Sequence, residues 1–82
     1  MRSKIKPSDI VSVTWVDSRV ELYQVEESEI DPPCIVWSVG IVVKVEPTYL
    51  VLARESIDED WRGVVVIPNR SIVSIVKMTH AK

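Results

Sequence analysis

The run Cys34 to Glu46 constrains this chain more than any other stretch. Within it Ile35, Trp37, Val39, Ile41, Val43 and Val45 recur at every second position, while Ser38, Gly40, Lys44 and Glu46 fall in the other register. A period of two is the signature of a long strand with one buried face. This spacing predicts that Trp37 and Ile41 point into the core. Gly40 in mid-strand predicts a bulge or sharp bend at residues 40–42, which would let one strand serve two sides of a small barrel.

Four further runs share the strand character. Ile10 to Val16 alternates, with Val11, Val13 and Trp15 on one side and Ser12 and Thr14 on the other, and Asp17-Ser18 closes it with two turn formers. Pro47-Thr48 ends the long strand, and Tyr49 to Arg54 returns antiparallel. Val64 to Ile67 and Ile72 to Met78 supply the last two strands. The link Pro68-Asn69-Arg70-Ser71 is too short for a helix and suits one tight turn. Residues 56–62, with Asp58-Glu59-Asp60, read as a solvated loop. Residues 19–33 are the least regular, acidic at Glu26, Glu27 and Glu29, and Pro32-Pro33 forbids helix and central strand there. A short helical turn over 20–24 fits that segment. The fold class expected is all-β: one domain over 1–82, a five-stranded, strongly bent antiparallel barrel.

Composition agrees. Val and Ile dominate, Phe is absent, and only two glycines occur. A chain of 82 residues must stabilise itself by apolar burial, since the lone Cys34 cannot form an intrachain disulfide and no Cys/His cluster suggests zinc. At 46% hydrophobic, it carries more apolar side chains than so small a barrel hides, which points to a subunit interface. No apolar stretch follows the basic start to make a signal peptide, and no run is long enough to span a membrane. A cytoplasmic protein is expected. Net charge is −2, against strong non-specific nucleic-acid binding. The acids gather up to Asp31, leaving the rest weakly basic.

Two resemblances emerge from these residues. Gly40 to Leu52, with Gly40 followed six positions later by the acid Glu46 at a turn, resembles the first motif of Sm and Sm-like proteins. Gly63 to Ile75, an apolar strand, a four-residue turn and a second apolar strand, is similar to the second Sm motif. The likeness covers residues 34–78, and the same ending occurs in Src-homology-3 domains. The whole chain also resembles a family of small uncharacterised phage and prophage proteins. It shares their Val-x-Trp-x-Asp-Ser opening (Val13, Trp15, Asp17, Ser18), a Ser38-Val39-Gly40 step and Ile67-Pro68 before the last strand. That family brings no activity with it, and would place the protein in a host cytoplasm.

The Sm resemblance implies two things. One is a homo-oligomeric ring, closed by pairing the fourth strand of one copy with the fifth of the next. The other is single-stranded RNA binding, through positions that here read Thr48, Leu50 and Pro68. Thr cannot stack, Leu cannot hydrogen-bond a base edge, and Pro supplies neither charge nor N–H. Tyr49 and Arg70 lie one and two positions away and are the substitutes. With Arg54, Trp61 and Arg62 they form the set of candidate contacts for nucleic acid or a protein partner.

The remaining side chains favour plain roles. Trp15 and Trp37 stand in phase with apolar neighbours, as core residues do, whereas Trp61 lies in a charged segment. Asp58-Glu59-Asp60 lacks the glycine spacing of a cation loop. The acidic loop lacks the aromatic partners with which Src-homology-3 domains read proline motifs. Cys34 reads as a small buried side chain and His80 as a tail imidazole. No nucleophile–base pair, phosphate loop or cofactor motif is present, so the expectation is a non-enzymatic module without metal or cofactor. It is an oligomeric structural or protein-interaction barrel; the alternative is a diverged Sm-like ring on single-stranded RNA or DNA.

Overall fold

Each alternating run becomes a strand in the computed structural model, which describes residues 5–17, 26–29 and 33–78. In chain order these are β1 (Ile10–Asp17), β2 (Cys34–Val45), β3 (Tyr49–Ala53), β4 (Glu55–Ile57), β5 (Asp60–Arg62), β6 (Val65–Pro68) and β7 (Ile72–Lys77). No α-helix occurs among the described residues; Glu27–Glu29 and Asn69–Ser71 form 3-10 turns. The helical turn expected over 20–24, most of the 19–33 segment and His80 lie outside the described residues.

Five strands pair antiparallel in the order β6-β3-β2-β1-β7. The closed barrel expected from the sequence is therefore not found: β6 and β7 are the two edges of an open sheet, and no ladder joins them among the described residues. The sheet is nonetheless curled. Five flat strands about 4.8 Å apart would set the edges roughly 19 Å from one another. Yet only the turn Asn69–Ser71 links β6 to β7, and the four steps from Pro68 to Ile72 reach about 14 Å at most. Curling also lets all five strands share one core. Val11, Val13 and Trp15 of β1, Val42 of β2, Leu50 and Leu52 of β3 and Ile67 of β6 are buried together, and Ile72 and Ile75 of β7 pack against them. Ile5, ahead of β1, joins this cluster; nothing in the periodicity marks it.

The face of β2 corrects one expectation. Trp37 is 79% exposed and Ile41 only half-buried, so neither is a core residue. The cause is a bulge between Val42 and Lys44 in the β2–β3 ladder. One extra residue moves every following side chain to the other face. Upstream of the bulge Val36, Ser38, Gly40 and Val42 look inward; downstream Val45 does. The run that alternates without interruption in sequence is thus split between two faces.

Gly40 is not the bulge itself but stands two residues before it. A Cβ there would meet the Ala53 carbonyl oxygen at 2.8 Å, so a bare backbone is what lets β3 cross so closely. The expected solvated loop at 56–62 is also corrected, being an antiparallel hairpin of β4 and β5 with Ser56 opposite Trp61. Its turn holds Asp58 at φ 55°, and its base closes where the Arg54 N–H donates to the carbonyls of Arg62 (2.9 Å) and Gly63 (3.2 Å). Gly63, at φ +67° and with Arg54 Cβ 2.8 Å from where its own Cβ would stand, has room for no side chain. Cys34, expected to be buried, is exposed, because it starts β2 beyond the reach of the core.

Candidate functional site

The five candidate contact residues separate into two groups. Tyr49 begins β3 and Arg70 sits in the β6–β7 turn, while Arg54, Trp61 and Arg62 lie past the other end of β3. Five residues of strand hold the groups roughly 16 Å apart, so they form two surfaces, not one.

At the first end the two turns meet. The backbone N–H of Asn69 donates to the Thr48 carbonyl at 2.9 Å. Its side-chain amide Nδ2 donates to the Pro47 carbonyl at 2.8 Å and approaches that of Glu46 at 3.4 Å. Asn69 thus staples the β2–β3 turn to the β6–β7 turn. Between them lies an open cleft of about 460 Å³ lined by Pro47, Thr48, Pro68, Asn69 and Arg70. Arg70 is exposed at its side, and Tyr49, paired with Pro68, is half-buried. Two of the three positions at which the Sm resemblance places RNA contacts, Thr48 and Pro68, do line this cleft. The third does not: Leu50 is fully buried in the core.

At the second end the hairpin carries a smaller recess of about 270 Å³ lined by Ile57, Asp58, Asp60, Trp61 and Arg62. Trp61 is 40% exposed. The charges are mixed, and Arg62 stands 3.6 Å from Glu55 across the hairpin, an exposed pair that contributes little stability. Arg54 lines a third, narrower recess of about 180 Å³ with Ser38, Val39 and Gly63. Lys44 projects from the sheet beside Val51. The four bases Lys44, Arg54, Arg62 and Arg70 therefore do not converge on one basic surface.

A third surface was hidden by the assumed phase of β2. The outward face of β2 presents Ile35, Trp37, Val39 and Ile41; β1 beside it presents Ile10, Ser12, Thr14 and Val16; β7 beyond presents Ser74 and Val76. Ile35 (71%), Trp37 (79%), Val39 (60%) and Val76 (60%) stand well exposed. None of these side chains is ionisable. The one hint in the sequence was Gly40 in mid-strand: a phase change anywhere near it puts Trp37 and Val45 on opposite faces.

Among the described residues no group of three His, Cys, Asp or Glu side chains is placed to hold a metal ion, and no helix is long and apolar enough to cross a membrane. Comparison with protein families, with curated proteins and with solved structures returns no match.

Proposed function

We propose that this chain is a non-enzymatic structural or protein-interaction module that assembles with copies of itself into a ring. The observation that carries the reading is the placement of β6 and β7 at opposite edges of one curled sheet. Counted within that sheet they are the fourth and fifth strands, the pair through which the Sm resemblance implies ring contacts. An edge strand offers unpaired N–H and C=O groups to a neighbour. An edge of one copy joined to the opposite edge of the next is a head-to-tail contact, which closes into a ring when the rotation allows. Val66 and Val73, 56% and 64% exposed, would be covered by such pairing. The non-enzymatic part rests on where the reactive side chains sit. Cys34 is at the exposed start of β2, and Asp58, Glu59 and Asp60 are on the exposed hairpin tip.

Light scattering on a sizing column tests the assembly. The expected mass is that of several copies, and Val66→Lys or Val73→Lys should dissociate the edge contact. A one-copy mass at micromolar concentration for the unmodified chain would refute it. A phage origin and a host cytoplasmic location rest on the resemblance at Val13, Trp15, Asp17 and Ser18, and the neighbouring genes test both. A second reading, a diverged ring that binds single-stranded nucleic acid, is favoured by one observation: exposed Arg70 borders the cleft between the two turns, with Tyr49 paired to Pro68 beside it.

A further inference from the structure

We infer that the outward face of β1, β2 and β7 is a two-fold contact with a second copy of this chain, independent of any pairing between β6 and β7. The shape of the face argues for it. Trp37, flanked by Ile35 and Val39, makes a ridge along β2. On β1 the residues directly opposite are small: Thr14 faces Trp37 and Ser12 faces Val39. Beyond them Val76 of β7, opposite Ser12, rises again. The face is a ridge beside a shallow trough. An isologous contact requires one patch to complement itself, and a ridge next to a trough does so: turned about a two-fold axis, each Trp37 lies over the partner's β1. There a Ser or Thr hydroxyl can accept the indole N–H, the hydrogen-bonding end that a buried Trp must satisfy. Two sheets meeting this way reproduce ordinary face-to-face sheet packing, with inner side chains interdigitated.

Size and charge point to the same occupant. At their exposures, Ile35, Trp37, Val39 and Val76 alone offer roughly 500 Å², so two copies would bury about 1,000 Å² through these four residues, the size that a biological interface should clear. A surface of this extent would ordinarily carry about three charged side chains, given that about 25–35% of surface residues are charged. The outward side chains of β1, β2 and β7 here carry none, and Arg54 stands only at the rim, beside Val39. Charges at an interface select a foreign partner and steer it in; their absence suits a copy of the same chain. Lys44, which projects past the bulge, marks where the face ends.

The test separates this contact from the ring. In a Val66→Lys background, where edge pairing is blocked, light scattering at micromolar concentration should give the mass of two copies. Adding Trp37→Lys should reduce it to one, with an unchanged far-ultraviolet dichroism spectrum because Trp37 supports no core contact. Ser12→Arg, which fills the trough instead of cutting the ridge, should do the same and decides the matter should Trp37→Lys fail to fold. A one-copy mass for Val66→Lys alone, or a two-copy mass that survives both variants, would overturn the inference. Failure of the ring alone shows differently: the unmodified chain would then itself have the mass of two copies.

Discussion

The indole N–H of Trp15 donates to the Ser38 hydroxyl at 3.0 Å, across the ladder that joins β1 to β2. This one bond joins a large core aromatic to the inward face of β2. It satisfies the donor that Trp15, 9% exposed, carries into the core. Ser38→Ala leaves that donor without its partner and should cost about 1–2 kcal/mol, the ordinary penalty of an unsatisfied, partly buried group. Trp15→Phe removes the donor as well. In the double variant the loss of Ser38 should therefore cost less than it does alone, and urea denaturation of the four proteins measures the difference.

The same bond sets the two tryptophans of this ladder apart. Trp15→Ala should cost about 3–5 kcal/mol, enough to unfold a domain of this size. Trp37→Ala should change stability by no more than about 0.5 kcal/mol when measured at a dilution where copies are apart. Equal losses in the two variants would mean that β2 runs in the opposite phase.

The strands themselves were legible because Val, Ile and alternating polar residues write a period of two directly into the chain; β1, β2 and β3 lie within a residue or so of where that period places them. The facing of β2 was not. A bulge is a property of the ladder between two strands, and Val42-Val43-Lys44 carries no mark of which residue is left unpaired. The hairpin of β4 and β5 was missed for another reason. Its strands are three residues each, and Asp58-Glu59-Asp60 has the composition of solvated turn. What holds it is backbone bonding at Arg54 and a glycine at positive φ, neither visible as periodicity. Pairing between edges leaves no pattern at all, so a closed barrel and a curled open sheet read alike. The candidate contacts suffered the same blindness: Tyr49 and Arg54 are near in sequence but sit at opposite ends of a strand.

Gly40 offers a test of the close approach between β2 and β3. Replacing a glycine by alanine in compatible extended backbone usually stabilises, by about 0.4–1 kcal/mol through the unfolded chain. Here the added methyl would stand 2.8 Å from the Ala53 carbonyl oxygen and 3.3 Å from Leu52 Cβ. The first of these is backbone, so relief requires the strands to move apart. Gly40→Ala should therefore destabilise, by about 1–3 kcal/mol, as overpacking does. Thermal melting reads the sign, and a raised melting temperature would show that β2 and β3 part there without loss.

The cleft between the two turns decides between the protein and nucleic-acid readings. Three properties of this end of the sheet weigh against base recognition. Leu50 is sealed in the core, Thr48 and Pro68 have no aromatic ring or charge to offer, and the Asn69 side-chain amide donates inward to the Pro47 carbonyl. What remains is Arg70, an exposed cation, with Tyr49 half-buried nearby. Such a surface should hold phosphates weakly and bases indifferently. Fluorescence anisotropy with labelled oligouridine and oligoadenosine at two salt concentrations should show similar, weak affinities that fall steeply as salt rises. Arg70→Ala should weaken both about equally and lower the salt dependence by about one ion per site. Tyr49→Ala, by contrast, should have no effect beyond its cost in folding stability. A strong uridine preference that persists at high salt, lost in Tyr49→Ala, would mean the ring does stack and read bases. Tyr49 and Arg70 would then be its recognition residues, and the nucleic-acid reading would displace the protein-interaction one.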